Sequence, residues 1–143
     1  RHPALRGVAV IVQGSIRLTF TYAAGRIGSR FLSGLRDSRV ILGAHCPRCE
    51  LVVCPARAFC PICGTDTADL REVGPGGAVE AWSGVPGRGT YGMIRLDGAD
   101  TALVHHLLGD ADLWESGTRV VARFAVKRTG SITDIEGFER GES

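Results

Sequence analysis

Cys46-Pro47-Arg48-Cys49-Glu50-Leu51-Val52-Val53-Cys54-Pro55-Ala56-Arg57-Ala58-Phe59-Cys60-Pro61-Ile62-Cys63 contains two Cys-x2-Cys pairs with ten residues between them. Each pair sets two sulfurs on one tight turn, and two such turns close a tetrahedral cage of four thiolates. A cage made only of cysteine has no open position for a substrate, so Cys46, Cys49, Cys60 and Cys63 are expected to hold a structural Zn2+. A single iron is the metal alternative, since iron also accepts four thiolates. The segment is too short to bury a core of its own, so the metal must stabilise it. Within it, Leu51–Val53 and Ala58–Phe59 are expected to pair as a small ribbon. Cys54 lies outside the pairs, lacks a recognisable base nearby, and reads as a small buried side chain rather than a nucleophile.

The surrounding sequence fits a reducing compartment. The chain has 143 residues and five cysteines, and an odd number with four in knuckles reads as metal rather than disulfides. No apolar run reaches the roughly 18 residues that span a bilayer, and no secretory signal is recognisable. A cytoplasmic location is the expectation. Arg1 in place of an initiator Met reads as a trimmed start. Net charge is +2 but unevenly spread. Residues 1–45 hold seven Arg and one Asp, residues 46–73 three Arg and four acids, and residues 74–143 seven basic and ten acidic residues.

Upstream of the knuckles, Ile16, Leu18, Phe20 and Tyr22 alternate with polar residues, a half-buried strand pattern suited to an extended arm. Ile27, Phe31 and Leu35, with Leu32 beside them, form a helical stripe that should end at Asp37-Ser38. Downstream of Gly74-Pro75-Gly76-Gly77, short strands recur at 78–85, 91–96, 101–107, 118–126 and 132–138. Glycines and acids punctuate them, with Asp97, Asp100, Asp110 and Asp112 in turn positions. Gly92 and Gly98 would permit bending or a bulge. Val120, Ala122, Phe124 and Val126 alternate, as a sheet with one inner face requires. The expected fold is mainly β: an N-terminal arm and short helix (1–43), a rubredoxin-like zinc ribbon (44–73), then a five-stranded antiparallel barrel of the OB type (74–143).

Phe31-Leu32-Ser33-Gly34-Leu35-Arg36-Asp37, Ile41-Leu42-Gly43-Ala44-His45-Cys46-Pro47-Arg48-Cys49, Pro55-Ala56-Arg57-Ala58-Phe59-Cys60-Pro61-Ile62-Cys63-Gly64, Leu96-Asp97-Gly98-Ala99-Asp100 and Leu113-Trp114-Glu115-Ser116-Gly117-Thr118-Arg119-Val120 occur in that order. Together they resemble the DUF35 family of OB-fold, zinc-ribbon, acyl-CoA-associated proteins over residues 25–140. Cys54 departs from the proline that members often carry there. The arm ending Phe20-Thr21-Tyr22-Ala23-Ala24-Gly25 looks most like the thiolase-associated branch, which includes the small subunit of benzylsuccinyl-CoA thiolase.

The resemblance implies a non-catalytic accessory subunit. A thiolase-type partner would cleave or form carbon–carbon bonds of a CoA thioester, and the basic first 45 residues would serve for docking. A CoA thioester at the interface is a further implied ligand, and Arg88, in the Gly84–Gly89 loop, with Lys127 and Arg128 are candidate anion contacts. His45 precedes a ligand and could orient a thiolate, while His105 and His106 alternate across a strand and read as packing residues. The alternative function is a single-stranded nucleic-acid-binding zinc-ribbon/OB module, against which stands the acidic barrel. A free-standing enzyme is a third class, but no complete catalytic set is recognisable.

Overall fold

The computed structural model describes residues 13–15 and 25–141. The alternating segment Ile16–Tyr22 lies outside the described residues. A helix α1 (Gly25–Ser33) opens the described body and passes into a wider π turn over Gly34–Ser38. Ile27, Phe31 and Leu35 are buried, one helical stripe as their spacing predicts. The helix stops where Arg39 takes a left-handed conformation (φ 52°).

Three short strands follow: β1 (Ile41–Cys46), β2 (Leu51–Val53) and β3 (Asp69–Val73). They form one antiparallel sheet in the order β2-β1-β3, with Ala44 opposite both Val53 and Leu70. The expected pairing of Leu51–Val53 with Ala58–Phe59 is not what forms. Leu51–Val53 folds straight back on β1 across the first knuckle, where loop closure is shortest. Phe59 instead makes a single bridge to Asp66 around the second knuckle.

Five strands then close a barrel: β4 (Gly76–Val85), β5 (Gly89–Leu96), β6 (Leu103–Leu107), β7 (Arg119–Phe124) and β8 (Ile135–Arg140), in the order β4-β5-β6-β8-β7. This is the Greek-key closure of an OB fold. It departs from an all-antiparallel barrel at one seam, where β6 and β8 pair in parallel at Leu107 and Phe138. Alternate residues fill the interior, among them Val79, Ile94, Leu96, Val120, Ile135 and Phe138, none more than 1% exposed. The register slips once between Val79 and Ala81, and that bulge rather than Gly92 bends β4. Gly92 serves close packing: a Cβ there would stand 2.7 Å from Leu107. The alternation predicted through Val126 fails at its end. The β7–β8 register shifts between Arg123 and Phe124, and Val126 is 93% exposed.

Helix, ribbon and barrel share one buried apolar cluster running from Ile27 through Ile41 and Val52 to Phe138. The ribbon therefore borrows core from its neighbours, which lessens the burden on the metal site. Its junction with the barrel is hydrogen-bonded as well. The Asp100 N–H donates to Val52 O at 2.8 Å, and the Val52 N–H donates to the Asp100 carboxylate at 2.8 Å. The Thr101 hydroxyl accepts from the Cys54 N–H (2.9 Å) and donates to Cys54 O (3.2 Å). Among the described residues, no helix is long and apolar enough to cross a membrane.

Candidate metal centre

The two knuckles are built alike. In the first, the Glu50 N–H donates to Cys46 O at 2.9 Å, with Glu50 in a left-handed conformation (φ 55°). In the second, the Gly64 N–H donates to Cys60 O at 2.9 Å, and Gly64 has φ 74°. Each turn thus brings its two cysteines together, closed by the β1–β2 hairpin around the first and the Phe59–Asp66 bridge around the second. The four Sγ atoms all lie within 4.8 Å of one another, and those of Cys46 and Cys63 are 3.5 Å apart. Zn–S bonds of about 2.3 Å in a tetrahedron separate sulfurs by about 3.8 Å, so the set fits a tetrathiolate metal.

The surroundings of the sulfurs favour a cation. The Cys49 N–H points at Cys46 Sγ from 3.3 Å, a bond that neutralises part of a thiolate's charge. Thr65 Oγ1 lies 3.1 Å from Cys63 Sγ. That hydroxyl and the Thr65 backbone hold the Cys63 thiol well below the ordinary range. Cys63 and partial burial push Cys49 the other way, up to about 12. Four sulfurs this close do not all ionise unaided, and a divalent cation supplies the missing charge. Such an ion would be held by Cys46, Cys49, Cys60 and Cys63 alone. Its chemistry would be structural, because every position of the tetrahedron is filled by sulfur.

The fifth cysteine stands apart. Cys54 is 2% exposed, and burial pushes its thiol up to about 12, so it is a neutral packing group at physiological pH. His105 is buried against Phe138, edge to face at 5.6 Å. Its Nε2 lies 3.2 Å from Ile132 O, and its Nδ1 accepts from the His106 N–H at 2.8 Å. That pair of contacts fixes the Nε2–H tautomer and leaves no free nitrogen for proton transfer. His45 places Nδ1 3.6 Å from the Asp69 carboxylate on β3.

The three candidate anion contacts are not brought together. Arg88 sits at the tip of the β4–β5 hairpin, exposed. Lys127 and Arg128 follow β7 and lie beyond the other end of β4, since Gly76 pairs with Val121. Lys127 is exposed. Arg128 is half-buried, with Nε donating to Arg36 O and Nη1 to Ala125 O, both at 2.9 Å. It caps the end of the helical segment, a role that its sequence neighbourhood did not signal. Asp134 supports the same loop by accepting from the N–H groups of Thr129, Gly130 and Ser131 at 2.8, 2.7 and 3.2 Å. Asp97 and Asp100 occupy turns but also bind partners, Asp97 in a bidentate pair with Arg119 and Asp100 at the ribbon junction.

No family model and no curated protein matches this chain. Several solved structures share its architecture, and two of them carry a description that bears on it. One, described as Ltp2-ChsH2(DUF35) aldolase, superposes with a TM-score of 0.60 at 20% identity, covering 84% of this chain and 98% of that chain. The other, a DUF35-family protein of unknown function from Sulfolobus solfataricus, gives a TM-score of 0.60 at 17% identity, covering 82% and 87%.

Proposed function

The chain has the DUF35 fold, and from that premise we propose that it is a non-catalytic accessory subunit of an acyl-CoA-processing complex. Its partner is a thiolase-type catalytic subunit acting on carbon–carbon bonds of a CoA thioester in the cytoplasm. The observation that carries this reading is the match over 98% of the DUF35 chain in an aldolase whose description pairs it with a second component. Aldolases and thiolases both make or break carbon–carbon bonds beside a carbonyl.

The chemistry of the described residues supports the accessory role. The ribbon cysteines are committed to a cage, Cys54 is buried and protonated, and the ring nitrogens of His105 are both engaged. None of these combines into a nucleophile with a base. The zinc ribbon (44–73) stiffens the link between the N-terminal segment (1–43) and the barrel (74–143). Zn2+ is the resident ion on the grounds of donor set and spacing. Arg88 and Lys127 are the exposed cations offered to the CoA phosphates, and Arg128 would reach them only by giving up its carbonyl partners.

The test is co-expression and co-purification with a candidate thiolase-type partner, followed by CoA-dependent cleavage with and without this subunit. A stable complex whose activity falls at least tenfold without the chain is expected. Absence of any complex would sink the proposal.

A further inference from the structure

The barrel closes through a thin seam. Five residue pairs join β5 to β6 and five join β7 to β8, whereas β6 and β8 share one, Leu107 with Phe138. Beside it the Leu108 N–H donates to Phe138 O at 2.8 Å. Residues two apart on a strand turn their N–H groups the same way, so the His106 N–H also faces β8. It is not given to that strand. It donates to Nδ1 of the His105 ring at 2.8 Å, and the same ring reaches on from Nε2 to Ile132 O at 3.2 Å. One buried imidazole thus carries the seam past the end of its ladder and ties β6 to the short helical turn Ile132–Asp134 that leads into β8.

Both contacts require a neutral ring. Nδ1 accepts, so a proton placed there meets the His106 N–H head on, and two donors cannot share one bond. No described group stands ready to hold the charge instead. Across β5 the ring faces Gly92, and on β8 it meets the Phe138 ring edge to face at 5.6 Å. The Asp134 carboxylate, on the turn itself, is spent on the N–H groups of Thr129, Gly130 and Ser131. Glu136 and Glu139 on β8 pair with Arg123, and Arg95 on β5 pairs with Glu80 on β4. The His106 ring, centred 6.1 Å away, can add only a like charge. Burial holds His105 below its ordinary value of 6.5, and the Ile132 carbonyl offsets only part of that.

We propose that His105 is a proton-operated latch: with a neutral ring it fastens the loop between β7 and β8 to β6, and with a protonated ring it releases that loop while the rest of the barrel stays closed. The proton comes from solvent and returns to it. The released piece spans residues 125–134 and matters beyond the barrel. Arg128 lies in it and holds Arg36 O at the end of the helical segment, so opening the latch also uncaps that segment. Opened, His105 takes up a proton near its ordinary value; closed, it does not. The closed state therefore keeps its full advantage above about pH 6.5 and loses it as pH falls from there through the lower folded value. Asp134 gives way only in the carboxylate range, which keeps the two groups apart.

The experiment follows amide exchange of the full, Zn2+-loaded chain between about pH 7.5 and about pH 5.5, corrected for intrinsic rates, beside an NMR titration of the His105 ring. Protection at His106 and over residues 129–134 is expected to fall about tenfold by the lower pH, roughly one factor of ten for the unit below 6.5, while Ile94 and Val120 keep theirs. The ring is expected to carry its proton on Nε2 and to titrate below about 6.5. In H105Q, a neutral side chain with a donor and an acceptor, the profile should be flat, and in H106Q it should persist. A ring that titrates at or above about 6.5, or that carries its proton on Nδ1, would overturn the latch, and this readout needs no variant to fold. Protection lost evenly over residues 76–140 would make His105 a buried base of the whole barrel and overturn the local release. A profile unchanged in H105Q, or abolished in H106Q, would place the titrating group elsewhere and overturn the proposal as well.

Discussion

The ribbon and the barrel reach stability by different routes. The barrel buries alternate residues of its strands around Ile94, Val120 and Phe138, and its order follows from apolar area removed from water. The ribbon has three strands of six, three and five residues. Its last strand, β3, buries only Val73 fully, and two of its turns converge on sulfur rather than on carbon. The difference shows that neighbouring parts of one chain, joined by a common core, can depend on unrelated forces. One should respond to chelation and the other to loss of apolar volume.

Removing the metal should give the largest effect. Structural tetrathiolate zinc contributes on the order of 10 kcal/mol to folding of its module. In Cys60→Ser, or after chelation, amides of the knuckle segment 46–66 should lose protection first and most, while those of 76–140 keep most of theirs. Equal loss in both would mean that ribbon and barrel are one cooperative unit, and the contrast would break. Phe138→Ala should cost about 3–5 kcal/mol in urea denaturation, with the barrel's amides losing protection first. A third probe is acid. Burial pushes the Asp134 carboxyl up, but the N–H groups of Thr129, Gly130 and Ser131 outweigh it and hold it below the ordinary value. Its stabilisation is complete above the unfolded value of about 3.9 and lost as pH falls through the lower folded value. Asp134→Asn should cost about 1–3 kcal/mol at pH 7 and flatten the acid limb of a melting-temperature profile.

Thr101→Val sharpens the comparison at its seam. It should cost about 1 kcal/mol and speed exchange at Cys54 without touching the barrel interior. The smallest effect belongs to Arg119→Ala. It removes the bidentate pair with Asp97, but both side chains are largely solvent-exposed. The expected loss is too small to move the melting temperature appreciably and shrinks with added salt.

What could be read from the sequence follows the same divide. The knuckles and the helical stripe were legible because spacing alone defines them, and the barrel strands because glycines and acids punctuate them and β5 and β6 alternate cleanly between buried and exposed residues. Strand β3 was not, since Asp69-Leu70-Arg71-Glu72-Val73 lies at a sheet edge and offers one buried residue. Val126 misled because a register shift at Phe124 ends the pairing that its pattern would continue. Among the candidate anion contacts, the sequence showed Arg128 as a cation near a turn but not its carbonyl partners at Arg36 and Ala125, which lie in different elements. The side a strand residue faces depends on the bulge at Val79–Ala81, a feature of backbone geometry rather than of residue type.

The four hydrogen bonds joining Val52 and Cys54 to Asp100 and Thr101 make the link between cage and barrel a welded corner rather than a hinge. Anything that grips the knuckles and the barrel at once meets a single spacing and a single angle. The rotational freedom that a two-module protein would surrender on assembly has already been given up during folding, and the corner acts as a gauge that admits only shapes cut to its dimensions.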